Sequence, residues 1–244
     1  MSIVSNRVLK KRRSLVVTIL FMALLLVGIN PNFLSNTPQV APSTTEVLSD
    51  SIIGLELASD VLERLEVKGR APKTGYKRSE FGDGWANIGD CDVRNIMLKR
   101  AMSSSKIAED NCTVLSGELL DPYTNKIIVF VRGSTTSSDV QIDHVVALSD
   151  SWQKGAQNLS FNSRVKFAND PLNLLAVDGA INQEKSDSDS ASWLPPNKAF
   201  RCQYVARVIA VKSKYNLWVT DAEKSTIKRV INGCQEQVVP YERD

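Results

Sequence analysis

The sequence contains a single histidine, His144, which directly follows Asp143 at the end of the apolar, strand-like run that begins at Val140. A single imidazole excludes zinc sites that need two histidines, and it excludes the HExxH arrangement of metalloproteases. Any general base of near-neutral pKa is therefore His144 itself, or a carboxylate or lysine whose pKa is strongly shifted. The alternative is that His144 is an ordinary structural residue.

Two asparagines follow His144 in an order that could complete a site for phosphate chemistry. Asn173 lies in the predicted strand or extended segment Leu172–Val177, and Asn182 lies in the predicted helix Gly179–Lys185. Taken alone, Asn173 is better explained as a turn residue after a proline, and Asn182 as a solvated helix residue. Their joint order around the only histidine favours a functional site.

This order of Asp-His pair, central asparagine and helix asparagine resembles the HNH, or ββα-metal, nuclease motif, including its nine-residue step from Asn173 to Asn182. The wider sequence is similar to the HNH-type domain of a group of secreted bacterial proteins long described as of unknown function. The likeness runs from about Tyr76 to Cys234. The segments that carry it are Tyr76, Arg78, Phe81 and Trp85 in one loop, Cys91-Asp92-Val93-Arg94-Asn95, Asp121-Pro122-Tyr123-Thr124, Asp143 to Leu148, Asn182 to Lys185, and the last two cysteines.

The resemblance implies an α+β fold, with a small ββα-metal core, flanking helices and a signal or anchor segment in front. It also implies a metal-dependent endonuclease, in which a neutral His144 removes a proton from the attacking water. The other ring nitrogen must then be held in place, and the side chain or backbone of Asn173 is the candidate holder.

The same resemblance makes Asp143 and Asn182 the oxygen ligands of one Mg²⁺, for which Mn²⁺ would substitute. Asp143 could instead cap a following helix. Many HNH nucleases have a further histidine where this chain has Asn182, so a weaker metal site is expected. Lys185, Arg94 and Arg78 are candidate phosphate contacts. The plainer alternatives are an exposed helix lysine and two arginines that brace nearby acidic residues.

The elements that would position these residues can be placed approximately. The strands Cys112–Leu115 and Lys126–Val131 flank a turn, Asp121–Asn125, and this pattern is typical of a hairpin. Apolar residues at helical spacing predict helices before and after the motif. These are Ser51–Val67, Val145–Leu159, Lys198–Lys214 and Asp221–Asn232.

The amino terminus has the shape of an export signal. The basic run Lys10–Arg13 precedes an apolar run, Ser14–Ile29, of about 16 residues, which is short for a transmembrane helix and suits a secretory signal. Cleavage and retention as a membrane anchor both remain open, and both place the rest outside the cytoplasm. We therefore predict a signal or anchor over residues 1–29, a flexible linker over 30–51, and a nuclease domain over 52–240 with its motif core at about 112–190.

The charge balance argues against a globally basic nucleic-acid-binding protein. Removing the five basic residues that precede Glu46 changes the formal net charge from +3 to about −2. A polyanion would therefore be bound through a local patch or through metal ions.

Four cysteines, Cys91, Cys112, Cys202 and Cys234, fit an exported chain with two disulfides. Three pairings are possible. Pairing of sequence neighbours, Cys91 with Cys112 and Cys202 with Cys234, would stabilise the fold by about 3 kcal/mol per bond.

The function predicted from these observations is an exported metal-dependent endonuclease of low sequence specificity that hydrolyses DNA, with RNA left open as a substrate. The alternative is a catalytically silent HNH-fold domain that binds nucleic acid or a cell-envelope polymer. The complete set of Asp143, His144, Asn173 and Asn182 favours the enzyme. A serine hydrolase that uses His144 is disfavoured because no GxSxG motif is present, and a purely structural disulfide-linked domain is disfavoured as well.

Overall fold

The computed structural model describes residues 56–240. The predicted signal or anchor (1–29) and linker (30–51) lie outside these residues. The described part contains seven α-helices: α1 Ala58–Arg64, α2 Val93–Ala101, α3 Leu148–Trp152, α4 Phe161–Ala168, α5 Gly179–Lys185, α6 Arg201–Lys214 and α7 Asp221–Ile231. Its strands are β1 Asn87–Ile88, β2 Cys91–Asp92, β3 Met102–Ile107, β4 Val114–Leu120, β5 Ile127–Val131, β6 Val140–His144 and β7 Leu174–Asp178. None of the helices within 56–240 is long and apolar enough to cross a membrane.

The predicted ββα core is confirmed and consists of β6, β7 and α5. The two strands pair antiparallel, with His144 opposite Leu174. The helix α5 begins directly after β7 because the Asp178 carboxylate accepts hydrogen bonds from the first turn, including 2.8 Å from the Ala180 N–H. Gly179 is required at this junction, since an added Cβ atom would lie 2.0 Å from the Ser138 carbonyl oxygen.

The predicted hairpin is also confirmed, but it belongs to a separate antiparallel sheet of order β3-β4-β5. Its first strand is longer than predicted, and β3 was not predicted. The turn is closed by Asp121, whose Oδ2 accepts from the Thr124 N–H at 2.8 Å, while Asn125 adopts a left-handed φ of 61°. The Asp121 Oδ1 also accepts from the Asp178 N–H at 3.1 Å, which attaches the turn to the ββα core.

The buried hydrophobic residues of the described part form two clusters. One packs α2 between the three-stranded sheet and the β6–β7 pair, through residues such as Leu98, Phe130 and Ile142. The larger cluster gathers the remaining helices and includes Phe167 and Tyr204. The predicted first and last two helices are confirmed with different ends, and the predicted helix Val145–Leu159 is the shorter α3 followed by a 3₁₀ turn.

The two predicted disulfides are present, and of the three possible pairings the structure has the one that joins sequence neighbours. Cys91 bonds to Cys112 across 21 residues, and Cys202 bonds to Cys234 across 32 residues. The first bond lies next to Asp92, which caps α2 by accepting from the Asn95 N–H at 2.8 Å. The second joins the start of α6 to the segment after α7. The disulfides therefore hold the elements on both sides of the core.

A buried ionic network joins the helices around the core. The Lys154 ammonium, which is fully buried, lies 2.8 Å from Asp150, 2.6 Å from Asp189 and 2.7 Å from Glu223. Lys212, also fully buried, lies 3.1 Å from Glu223. Asp150 lies in α3, Lys154 in the turn after α3, and Asp189 in the loop after α5. Lys212 lies in α6, and Glu223 lies in α7. Matched partners are what makes charge tolerable in this interior.

We expect Lys154→Met to lower the free energy of unfolding by about 3–5 kcal/mol, because it removes a buried ammonium that contacts three buried carboxylates. Chemical denaturation followed by circular dichroism measures this. The matched control is Lys68→Met, which removes an exposed pair with Glu66 and should cost less than about 1 kcal/mol. Equal losses in the two variants would contradict a structural role for the network.

Candidate active site

An open cleft of about 500 Å³ lies beside β6 and α5. Three of the predicted site residues, Asp143, His144 and Asn182, line this cleft. Its other polar lining residues come from the loop before β1, from the strand β6 and from the segments after β6 and α5. They are Lys73, Tyr76, Arg78, Gln141, Ser149, Ser186 and Asp187.

The imidazole of His144 is held in one tautomer. Its Nε2 lies 2.8 Å from the Ala168 carbonyl oxygen, which can only accept, so Nε2 carries the proton and Nδ1 carries the lone pair. Within residues 56–240, Nδ1 forms no hydrogen bond. The Trp85 ring stacks on the imidazole with centroids 5.6 Å apart and planes at 12°. The geometry is that of an oriented proton acceptor.

Asn173, the predicted holder of the imidazole, forms no hydrogen bond with the ring, whose Nε2 is bound to the Ala168 carbonyl oxygen instead. Its fully buried carboxamide accepts from the Val146 N–H at 2.8 Å, and it donates to the Val146 and Phe167 carbonyl oxygens at 3.3 and 3.5 Å. Its own carbonyl oxygen accepts from the Val145 N–H at 2.8 Å. Asn173 therefore ties the segment after His144 to the end of α4, where the Ala168 carbonyl is found.

Asp143 is nearly buried and both of its oxygens are engaged. The Lys185 ammonium lies 2.9 Å from Oδ1, and the Tyr123 hydroxyl donates to Oδ2 at 2.5 Å. Burial raises the pKa of the Asp143 carboxyl, while Lys185 and Tyr123 act in the opposite direction. Tyr123 comes from the hairpin turn, and its role was not predicted, since a turn tyrosine gives no signal of what it contacts.

Lys185 is not placed for the phosphate contact that the sequence suggested, nor is it an exposed helix lysine. Its side chain is fully buried, and besides Asp143 it donates to the His144 carbonyl oxygen at 2.9 Å. The last turn of α5 is thereby attached to the end of β6. Lys185 positions the Asp-His pair from behind the cleft.

The side-chain nitrogen of Asn182 has a hydrogen-bond partner, and its side-chain oxygen is left available. Its Nδ2 donates to Gln141 Oε1 at 2.9 Å, and Oδ1 forms no hydrogen bond in the described part of the chain. Gln141 and Asp143 are two residues apart on β6 and so share a face of the strand. Hence α5 crosses that face through two contacts, Asn182 with Gln141 and Lys185 with Asp143. Gln141 was not predicted.

The donor set fits a single hard divalent cation. Asp143 offers carboxylate oxygens, each with further acceptor capacity, and Asn182 offers a free carboxamide oxygen. No group of three or more His, Cys, Asp or Glu side chains within residues 56–240 could hold a metal ion. A metal at this cleft would therefore keep several waters or take oxygens from the substrate, as Mg²⁺ commonly does.

The two arginines have different surroundings. Arg78 is exposed, lines the cleft and forms no hydrogen bond or ion pair with residues 56–240. Arg94 does not line the cleft. Its guanidinium donates to the Ser137 and Val140 carbonyl oxygens at 3.2 and 3.4 Å, so it braces the segment before β6 against α2 through backbone acceptors and not through the acidic residues that the sequence suggested.

Comparison with known proteins identifies the family. The model for "GmrSD restriction endonucleases, C-terminal domain" matches residues 92–230. The chain belongs to this family. The matched span contains β6, β7 and α5 and therefore Asp143, His144, Asn173 and Asn182. Family membership gives the chain a nuclease-type function, with nucleic acid as the implied substrate, and restriction endonuclease domains commonly use divalent metals.

A relative from Arthroderma benhamiae, named "Uncharacterized secreted protein", is 36% identical over 201 residues, which cover 81% of this chain and 92% of the relative. No solved structure matches the chain.

The environment of His144 predicts an unusual titration. Burial lowers the pKa of the imidazole to about 4; the nearby Arg78 and Lys185 also lower it, and the bond to Ala168 partly opposes them. In the unfolded chain the pKa returns to about 6.5. The unfolded state then binds more protons between these two values, so the fold loses stability as the pH falls through this window.

Because the chain has one histidine, its imidazole signals in an NMR titration are unambiguous. In the metal-free protein they should shift with a midpoint near pH 4, and in the urea-unfolded protein near about 6.5. A native midpoint close to the unfolded one would show that the ring is solvated, which would contradict the structure.

Proposed function

We propose that this protein is an exported, metal-dependent endonuclease of the HNH type, which hydrolyses phosphodiester bonds of DNA in preference to RNA with low sequence specificity. The observation that carries the proposal is His144, which lies in an open cleft with Nε2 bound to the Ala168 carbonyl oxygen and Nδ1 unengaged. Asp143 and Asn182 line the same cleft. The family description, which names restriction endonucleases, supports DNA as the substrate.

His144 acts as the general base. A pKa of about 4 keeps the ring unprotonated at neutral pH, so Nδ1 is available to accept a proton from the water that attacks phosphorus. The imidazolium that forms is stabilised by its Nε2–H bond to the Ala168 carbonyl oxygen. Asn173 fixes the backbone on both sides of the ring. Trp85 keeps the ring plane in one orientation.

Asp143 and Asn182 would hold one Mg²⁺, with Mn²⁺ as a substitute. A divalent ion supplies charge stabilisation to the scissile phosphate and to the departing oxygen. Lys185 and Tyr123 hold the Asp143 carboxylate in place. Gln141 accepts a hydrogen bond from the Asn182 side-chain nitrogen, which leaves the Asn182 side-chain oxygen available. These contacts preorganise the two ligands before substrate binds.

Arg78 is the proposed phosphate-binding side chain. It is the exposed guanidinium of the cleft, and its charge is not used by another group within residues 56–240. A guanidinium can donate two parallel hydrogen bonds to a phosphate, which positions the substrate as well as attracting it. Lys185 and Arg94 are engaged inside the fold and are not needed for this role.

Export is supported by three observations. The amino-terminal basic and apolar runs have the form of a signal or anchor over residues 1–29, followed by a linker over 30–51. Two disulfides suit an oxidising compartment. The Arthroderma benhamiae relative is named a secreted protein. Secretion and attachment to the outer face of the membrane are both compatible with these observations.

The deciding experiment is a plasmid-nicking assay on purified, oxidised protein with Mg²⁺, Mn²⁺ or EDTA. Cleavage should require metal, and His144→Ala should lower its rate roughly 10²- to 10⁴-fold, the usual contribution of a general base. The matched control is Asp221→Asn on the exposed start of α7, which should cut normally. RNA of the same sequence should be cut more slowly than DNA.

The same assay tests the alternative, a catalytically silent domain that binds nucleic acid or a cell-envelope polymer. One observation favours that alternative: both Asp143 oxygens already have hydrogen-bond partners. A folded protein that binds DNA but cuts neither DNA nor RNA under any metal would establish it.

Arg78→Gln should lower kcat/KM for DNA roughly 10- to 100-fold, because it removes a charge-assisted hydrogen bond worth about 1.5–3 kcal/mol. Lys77→Gln is the control, since Lys77 is the exposed neighbour of Arg78 and does not line the cleft. If the two variants lose activity equally, only the general charge of the loop matters and Arg78 has no specific role.

A further inference from the structure

We infer that the divalent metal and the nucleic acid bind this site cooperatively, because Lys185 already serves Asp143 as a buried counter-ion and the substrate phosphate has to supply the missing negative charge. The inference rests on the proposed function and concerns how its site is loaded. It starts from a contact that the hydrolytic scheme itself does not use, the ion pair between Lys185 and Asp143.

The Lys185 ammonium is built into the site. Its side chain is 0% exposed and that of Asp143 is 5% exposed, with 2.9 Å between Nζ and Oδ1. A second bond of 2.9 Å joins Nζ to the His144 carbonyl oxygen. If this ammonium moved into solvent when a metal arrived, the buried His144 carbonyl oxygen would lose the hydrogen bond from Lys185, so Lys185 stays beside Asp143. Lys185 therefore neutralises the charge of Asp143, the proposed carboxylate ligand, before any metal binds.

The other charged groups around the cleft do not make its net charge negative. Among residues 56–240, the charged side chains at or directly behind the cleft are Lys73, Arg78, Lys185, Asp143 and Asp187. Asp187 is itself paired with Lys73 at 3.1 Å. Cations thus outnumber carboxylates, and the remaining ligand, Asn182, is neutral. A divalent ion that enters alone meets net repulsion from fixed charges.

A bound polynucleotide would offset the excess of positive charge in the cleft. Its phosphates neutralise Arg78 and bring further negative charge into the cleft, and a phosphate oxygen is also a good ligand for a metal that has only two oxygens from the protein. Each ligand then raises the affinity of the other, and thermodynamic linkage requires the two factors to be equal. Metal would be held weakly until substrate is present.

The first test measures Mn²⁺ binding by electron paramagnetic resonance to the His144→Ala protein, with and without a short DNA duplex, over a time in which this slow variant leaves the duplex intact. The Kd for Mn²⁺ should fall at least about tenfold when the duplex is present, within the usual range of coupling. A peptide nucleic acid duplex of the same sequence, which has no phosphates, should leave the Kd unchanged. DNA binding measured by fluorescence anisotropy should tighten by the same factor on adding Mn²⁺.

The second test separates a charge role of Lys185 from a merely structural one by the sign of the effect. In Lys185→Met, Asp143 loses its counter-ion, so at a pH where Asp143 is ionised Mn²⁺ should bind more tightly without DNA, and the coupling should shrink. Lys185→Arg keeps the charge and should bind Mn²⁺ like the parent. If Lys185 had only a structural role, Mn²⁺ should instead bind more weakly to Lys185→Met than to the parent protein.

The outcomes distinguish this inference from the proposed function. Equal Mn²⁺ affinity with and without DNA, in a protein that cuts DNA with metal, overturns the cooperative loading and leaves the nuclease intact. Absence of Mn²⁺ binding under both conditions overturns the metal site and this inference together. If Lys185→Met does not fold, the comparison with and without duplex still decides.

Discussion

The compensation of buried charge is the constraint on which the rest of this structure depends. Lys154 is completely buried and contacts carboxylates from three separate segments. Because an unpaired charge in the interior costs several kcal/mol, these segments can pack only in the arrangement that brings all the partners together. The loop after α5, which forms one wall of the cleft, is fixed in this way through Asp189.

Buried charge is also compensated at the cleft. Lys185 and Asp143 form a buried pair at the end of β6, and the Tyr123 hydroxyl engages the second carboxylate oxygen. The polar side chains of the site are therefore held by the core rather than by a mobile surface. The Lys185 charge also offsets the charge of Asp143, and this contact is the basis of the proposed cooperative binding of metal and nucleic acid.

Burial also determines the chemical state of His144. His144 is stacked against Trp85 and bonded to a backbone carbonyl, so desolvation keeps the ring neutral while the carbonyl selects its tautomer. The packing that stabilises the fold thus prepares a proton acceptor at neutral pH. The cost is a loss of stability in acid, where the unfolded chain binds a proton that the native ring excludes.

Local pattern was sufficient for part of this description. The single histidine, the order of Asp143, Asn173 and Asn182, and the hairpin were accessible from the sequence, because each depends on residue type and short spacing. The ββα core followed from the resemblance to HNH nucleases, and the sequence left the pairing of the four cysteines open. The holder of the imidazole was not accessible, since the acceptor is the backbone carbonyl of Ala168, and every residue has one.

The sequence by itself determined which chemistry is available: one imidazole, two candidate oxygen ligands, and a chain built for an oxidising compartment. Only the tertiary structure decided how each side chain is used. Lys185 was predicted at the surface and lies behind Asp143, Arg94 was a candidate phosphate contact and braces the backbone, and Gln141 and Tyr123 gave no signal. The reason is that the side of a short helix or turn that becomes buried is set by packing against distant segments, and spacing along the chain does not encode it.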